Sequence, residues 1–447
     1  MPETRTPFRR LEEVFAFLDS LANFEKGRTP ASKRDFRLDR MRTLLGAFGD
    51  PHRSFRSFHV AGTKGKGSTA ALLAAVLQAA GIRTGLYTSP HVVSYLERFS
   101  VDGEPPETER VLSLAGMIRG RMPEWRELAG GFGPTTFEIL TLLAMLTFRD
   151  CGCAYAVVET GIGGRLDATN VVDPEAAVIT PLDLEHTDLL GESIREIARE
   201  KGGIIKPGVP VFCGHVAAEA REVLRRIAAD RGSPIRFLAD ETERSAVEVG
   251  WGGTDVRLRL RGDSEASFHV SLVGTFQAEN AALAFLTLRK TMPELPLSAY
   301  EKGFAAASLP GRWEILQENP PVILDGAHTP LAVRRLLETY RQLCPVPGVL
   351  IFGSVVGKRA DRMAEILAPH FDAIIVSTPS TFKESDPEAV YALFQALGAA
   401  VYLQTDPEEA LDAAQKAAGG VKPVLVTGSF YMLSEIRRIW MRRKQGG

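Results

Sequence analysis

The chain has 447 residues, too many for one ordinary core and suited to two domains. Hydrophobic residues make up 45%, charged residues 24%, and the formal net charge is -2, which favours a globular protein over wholesale binding of nucleic acid or an anionic membrane. The four cysteines, Cys151, Cys153, Cys213 and Cys344, are too scattered for a disulfide scaffold. The start "MPETRTPFRRLEEVFAFL" lacks a signal-peptide layout, and no apolar run reaches the ~18 residues of a membrane span, so a cytoplasmic enzyme is expected.

In chain order, apolar runs of strand length alternate with helical patterns. "SFHVAG" reads as a strand, and "STAALLAAVLQAAG" as a helix, apolar nearly all round and stopped by Gly81. "TGLYTS" is the next strand. The buried helix "FEILTLLAMLTFRDCG" leads into the strand "AYAVVETG". "AAVITPL", "SIREIAREKGG" and "VPVFCG" continue as strand, helix and strand. This alternation predicts a P-loop-type, mainly parallel α/β sheet with helices on both faces. Residues 236–273 change character, with short alternating runs and turn glycines that predict a small antiparallel insertion. "GTFQAENAALAFLTLRK" then opens a helix. Pro310 and Gly311 interrupt the chain, and five strand candidates follow: "PVILDGAH", "GVLIFGS", "AIIVST", "AVYLQT" and "PVLVTGS". They predict a smaller, Rossmann-like C-terminal α/β domain. The expected division is 1–307 and 308–447. The basic end "RRIWMRRK" reads as the solvated tip of a last helix.

The chemistry gathers at strand ends. "HVAGTKGKGSTAAL" (59–72) joins strand to helix through a Gly-rich turn, but the Walker spacing fails: Val60 stands where the first glycine belongs, and Gly67 follows Lys66. Backbone N–H groups at such a turn still converge on an anion. Lys66 adds a point charge, and Ser68 or Thr69 caps the helix or helps with a metal. Glu159 ends the strand "AYAVVETG", where ligands bind in open α/β sheets, though alone it would fit a surface residue equally well. "PLDLEHTDLLG" packs Asp183, Glu185, His186 and Asp188 into six residues after another strand, making His186 a metal or phosphate candidate. Asp325 and His328 of "DGAH" sit at a comparable edge in the second domain. "CGC" at 151–153 has no second Cys/His pair nearby and reads as incidental thiols.

The set "GTKGKGS", "YTSPH", "ETGIGGRLDATN", "LEHTDLLG…IAREKGGIIKPG", "GTFQAENAALA", "LPGRWE" and "DGAHTP" resembles the folylpolyglutamate synthase / dihydrofolate synthase family of the Mur ligase superfamily, in the family's order across roughly residues 25–435. The resemblance implies an ATP- and Mg²⁺-dependent ligase that adds L-glutamate to dihydropteroate, to a reduced folate, or to both, through an acyl phosphate. The family's short loop, G-T-x-G-K-G-[ST], replaces the Walker spacing. It implies that Gly62, Thr63, Lys64, Gly65, Lys66, Gly67 and Ser68 hold the ATP phosphates, with Asn280, Arg312 and Asp325 also contacting the nucleotide. Ser89 and Glu159 would ligate one Mg²⁺ and His186 a second. Lys201 matches a lysine carbamylated in the family, and as a carbamate it would offer the anionic oxygen that a hard cation prefers. Lys66, Lys201, His186 and His328 are the expected catalytic residues. Thr135, Thr136, Phe137, Glu138, Leu166, Asp167 and Ala168 are the expected pterin-side residues. A monomer without nucleic-acid or membrane partners is expected.

Two features depart from the family pattern. Thr329 replaces the Asn of "DGAHNP", and Gly357-Lys358-Arg359 stand where a D-K-D triplet is common. Both bear on the glutamate site. The alternatives are a Mur-type ligase acting on a nucleotide-sugar peptide and a non-catalytic P-loop nucleotide-binding module. The pair "TTFE" and "GGRLDATN" weighs against the first, and the cluster Glu159, His186 and Lys201 against the second.

Overall fold

Strand β1 (Arg56–Ala61) is buried from Ser57 to its end, as an unbroken apolar run requires of a central parallel strand. It belongs to a computed structural model that describes residues 7–23, 36–128, 133–379 and 383–446; the first six residues of the N-terminal stretch read above lie outside these. β2 (Thr84–Tyr87), β3 (Phe99–Val101), β4 (Tyr155–Glu159), β5 (Ala176–Ile179), β6 (Val211–Cys213) and β7 (Ile235–Phe237) complete a sheet of order β3-β2-β4-β1-β5-β6-β7. β3 is antiparallel to β2, and the other pairs are parallel. Side chains alternate between two cores. Tyr155 and Val157 of β4 face the helix Lys66–Ala79, whereas Ala156 and Val158 face the helix Thr136–Asp150. The helix Lys66–Ala79 is buried from Gly67 to Leu77 because it lies between the sheet and two further helices, Thr275–Thr291 and Leu297–Ala306. Its lack of a polar face in sequence thus has a packing cause.

The expected antiparallel insertion is present as β8 (Thr242–Gly250), β9 (Gly253–Leu260) and β10 (Glu265–Val270). Its buried positions, among them Val256, Leu258 and Phe268, join the core against the helix Thr275–Thr291. The last sheet has six strands, not five: β11 (Glu314–Glu318), β12 (Pro321–Leu324), β13 (Gly348–Phe352), β14 (Phe371–Val376), β15 (Val401–Leu403) and β16 (Val424–Thr427), in the order β11-β12-β16-β13-β14-β15. β11 is an antiparallel edge strand whose polar "EILQE" is half-buried, so it carries no apolar run to betray it.

Contacts across the two large sheets are specific. Val249, at the tip of the β8–β9 hairpin, enters the apolar cluster of the C-terminal sheet beside Val333 and Leu337. The neighbouring Trp251 ring lies 6.1 Å from that of Trp313. All four cysteines are free, and burial pushes the Cys153 and Cys344 thiols up to about 12, which keeps them protonated. The basic end lies on the last helix (Phe430–Gly446), where Arg443 pairs with Asp412 at 2.7 Å and Arg442 with Glu408. Among the described residues no helix is long and apolar enough to cross a membrane.

Candidate active site

The Gly-rich turn leaves β1 and enters the helix Lys66–Ala79 through Gly65, which caps the helix at φ +83°. A side chain there would also meet Asn280, because a Cβ would stand 2.3 Å from its Oδ1. Only glycine satisfies both the left-handed backbone and the close approach. Asn280 is in turn held by Gln277, whose Oε1 accepts from Asn280 Nδ2 at 2.8 Å. Thr63 Oγ1 donates to Asp183 O at 3.1 Å, so the turn is stapled to the loop after β5.

Glu159 ends β4 and is 2% exposed. Its Oε2 accepts from Ser89 N at 2.9 Å, and Lys66 Nζ stands 3.8 Å from its Oε1. Burial pushes the Glu159 carboxyl above its ordinary range, while Lys66 opposes that. Behind the turn, Lys201 is 4% exposed and donates from Nζ to Gly62 O at 2.6 Å. Burial, with Lys66 next, pulls its pKa down to about 7. His186 adopts φ +53°, uncommon for a residue with a side chain; although part of it is open to solvent, the protein packed around the ring desolvates it and lowers its pKa to about 4. It therefore presents a neutral imidazole, the form that binds metals.

The C-terminal sheet supplies the opposite wall. Arg312 is half-buried, with its guanidinium 4.6 Å from the centre of the Phe430 ring, and Nη1 donates to Gly311 O at 3.1 Å. Asp325 accepts from Trp313 N at 3.0 Å and from Ala327 N at 2.9 Å, so its carboxylate braces the turn that carries Arg312. His328 Nδ1 lies 2.8 Å from Gly326 O and Nε2 lies 3.2 Å from Glu185 Oε1. Burial lowers the His328 pKa below the usual histidine value, against the opposing pull of Glu185. Both ring nitrogens face oxygen acceptors, and the neutral ring that the lowered pKa favours can donate to only one of them.

Glu185 is a hub to which the sequence reading gave no separate role. Besides His328, it faces Lys64 Nζ at 3.1 Å and Lys358 Nζ at 3.7 Å. Its burial opposes ionisation, but the hydrogen bond with His328 and the charge of Lys64 hold its carboxyl well below the usual range. The signal in sequence was the acidic residue beside His186 at a strand end. Its partners come from three distant segments, which no spacing reveals.

These groups meet at one cleft of about 660 Å³ whose lining includes residues 63–68, Ser89, Glu159, His186, Asn280, Arg312, Asp325 and His328. Lys201 lies behind the turn, outside that lining. Residues 135–138 and 166–168 are also absent from it among the described residues. Thr135 and Glu138 form a capping box at the start of the helix Thr136–Asp150, and Glu138 takes both of its 2.9 Å bonds from Arg40 Nε. Thr136 Oγ1 donates to Leu18 O at 2.9 Å, and Phe137 packs on Tyr87. Asp167 accepts from Gly161 N, Ile162 N and Thr169 N at 2.9–3.0 Å, so it shapes the turn after Glu159. Leu166 borders a small pocket beside Leu189, and Ala168 belongs to the core.

The donor set suits a hard cation. No cluster of three His, Cys, Asp or Glu side chains occurs among the described residues. Glu159, however, is a buried carboxylate with a cation beyond hydrogen-bond reach, next to Ser89; Lys201 is buried with its pKa lowered to about 7, and His186, exposed at its surface, is lowered to about 4. A carbamate on Lys201 would complete an oxygen-rich set.

Residues 60–288 match the Mur ligase middle domain and residues 311–430 the Mur ligase glutamate ligase domain. The dihydrofolate synthase/folylpolyglutamate synthase of Bacillus subtilis is 34% identical over 407 residues, covering 90% of this chain and 94% of that one. The folylpolyglutamate synthase of Lacticaseibacillus casei is 35% identical, covering 89% and 93%. A crystal structure of Mycobacterium tuberculosis folylpolyglutamate synthase with ADP and AMPPCP superposes with a TM-score of 0.88 at 29% identity, covering 96% and 98% of the two chains.

Proposed function

The chain belongs to the folylpolyglutamate synthase / dihydrofolate synthase family of Mur ligases, and from that premise we propose how its cleft joins L-glutamate to a pterin acid. It is an ATP-dependent ligase. The observation that carries the proposal is the meeting of the phosphate turn, with Lys66, and Arg312 across one cleft built from both large sheets.

A carboxylate is a poor electrophile, so amide formation needs it activated. The γ-phosphoryl group of ATP passes to the acceptor's carboxylate oxygen, breaking the bond to ADP and forming an acyl phosphate. The glutamate amine then adds to the carbonyl carbon, and phosphate leaves from the tetrahedral adduct. Phosphoryl transfer depends on positioning and charge neutralisation. Residues 62–68 aim backbone N–H groups at the phosphates, and Lys66 counters their charge. Arg312 approaches from the other sheet; desolvation lowers its pKa, and the charges of Asp325 and Glu159 oppose that. Ser89 and Glu159, with His186 and carbamylated Lys201, would hold Mg²⁺, which when bound supplies further neutralisation of the phosphates. Lys358, with His328 beside it on Glu185, lines the wall towards the incoming glutamate.

Thr329 keeps one duty that an asparagine would perform: it caps the helix Pro330–Leu343, accepting from Ala332 N at 3.4 Å. The pterin would lie towards Ile162 and Tyr95, with residues 135–138 and 166–168 supporting that wall from behind. The division at 307/308, a cytoplasmic location and a monomeric state complete the reading. The test is incubation with ATP, Mg²⁺ and labelled glutamate, comparing dihydropteroate and tetrahydrofolate as acceptors. ADP release that needs both glutamate and a pterin supports the ligase. Hydrolysis indifferent to both, with no amide product, defeats it.

A further inference from the structure

One arginine outside the reacting groups connects the loops that supply them. Glu97 closes the turn Tyr95–Arg98 and accepts from Val92 N at 2.7 Å, Val93 N at 3.1 Å and Ser94 N at 3.2 Å. It thereby ties down the segment that begins at Ser89, whose own N–H holds Glu159. Glu314, the first residue of β11, accepts from Gly311 N at 2.9 Å and so fixes the turn immediately before Arg312. Arg437, on the last helix, serves both carboxylates. Its Nη1 donates to Glu97 Oε1 at 3.3 Å, and its Nε lies 2.8 Å from Glu314 Oε1. Val92 belongs to the apolar cluster of this helix with Leu433, and Arg438 Nη2 donates to Val93 O at 3.3 Å.

We propose that Arg437 is a positioning residue for phosphoryl transfer: by bridging Glu97 and Glu314 it sets the Ser89 loop against Arg312. The proposal rests on the roles given above to Ser89, Glu159 and Arg312. The guanidinium fork fixes two directions at once, which an ammonium at the end of a flexible stem does less well. Without it, two carboxylates share no cation, and their repulsion acts on the two loops that must converge. A side chain that merely fastened the helix would affect melting but not the balance between binding and turnover.

The test uses the full chain with Arg437→Ala and Arg437→Lys. Readouts are kcat, KM for ATP and for the pterin acid, equilibrium affinity for ATP, and melting temperature. Arg437→Ala should lower kcat by about 30- to 100-fold, since a displacement of ~1 Å suffices for that, while ATP affinity changes less than about threefold. Arg437→Lys should recover part of the lost kcat. A kcat within about twofold of wild type in Arg437→Ala, or a loss that vanishes on cooling below the variant's lowered melting point, overturns the proposal. If Arg437→Ala does not fold, Glu97→Gln and Glu314→Gln each weaken one arm of the bridge, and the same kcat criterion decides. Lys66→Ala runs in parallel. If that variant keeps its rate, the phosphate-site reading itself fails; if it is inactive while Arg437→Ala turns over normally, only the present inference fails.

Discussion

Lys201 is a basic side chain placed where its charge is unwelcome. Its pKa of about 7 in the folded chain lies below the 10.5 of a free lysine, so the unfolded chain binds more protons between those values. This group therefore makes stability rise with pH across that window, and its penalty is fully present below about 7. The neutral amine is also the form that reacts with CO₂. Carbamylation should thus increase as pH rises through about 7, read as added mass at Lys201 in protein equilibrated with bicarbonate. An unmodified Lys201 at pH 8.5 in protein that binds Mg²⁺ fully would contradict it. Lys201→Ala should lose most activity and keep ATP binding, and acetate or formate should restore part of the rate by entering the gap. Lys66 makes a simpler case. It stands 3.8 Å from Glu159, too far for a hydrogen bond, so Lys66→Ala should shift the melting temperature little. Its turnover should drop by about 10²–10³-fold, the scale for losing one charged contact in a transition state. Half the wild-type rate in that variant would remove Lys66 from the phosphate site. Lys66, Glu159 and His186 could be picked out in the chain because each follows an apolar strand, where ligand-facing positions fall. The Glu185 hub could not, since Lys64, His328 and Lys358 lie in separate segments. The capping duties of Thr135 and Glu138 and the turn-bracing of Asp167 were hidden too, because a carboxylate's partner may be its own backbone.

Among the elements, the helix Lys66–Ala79 is the most exposed to second-hand disturbance. Gly303, on the helix Leu297–Ala306, lies so close that a Cβ would stand 2.6 Å from Val76 Cα. Backbone cannot yield as a flexible side chain can, so Gly303→Ala must push the two helices apart. It should destabilise by about 1–3 kcal/mol, the range for an overpacked core. Because the displaced helix carries Lys66 at its first turn, KM for ATP should rise as well. Thermal unfolding and steady-state kinetics check both, and unchanged melting would show that the helices have slack. Strand periodicity revealed most strands of the two large sheets and the insertion. It missed β11, whose half-buried polar residues pair only with β12 at the edge, and the helix Thr108–Leu128, whose polar sequence includes Pro123.

At the scale of the whole molecule, the cleft is shared, so catalysis depends on how the two large sheets dock. The hairpin tip at Val249 and Trp251 reaches the C-terminal sheet, and Trp313 receives it one residue after Arg312. The junction draws on side chains such as Val249, Trp251 and Trp313 rather than on a sheet pairing, so it should open first under denaturant. In a background with Trp125→Phe and Trp440→Phe, emission from the Trp251–Trp313 pair should change at lower urea than the far-UV circular dichroism. Coincident midpoints would show that docking and folding are one transition. Composition suggested a break around Pro310 and Gly311; the docking contacts left no trace in the sequence, because each joins segments far apart in the chain.

Those contacts constrain how such a protein can be inherited in pieces. Glu97 meets Arg437, Glu185 meets His328 and Lys358, and Trp251 meets Trp313, each pair with one member on either side of the stretch at Pro310 and Gly311. A genetic crossover at the linker would hand one parent's half of every pair to the other parent's half. Two relatives at about one-third identity would seldom carry matching partners at all of these positions, so their hybrids should fold as two sound halves around a misaligned cleft. The stretch where the chain looks easiest to cut is therefore the place where lineages would be least free to exchange it.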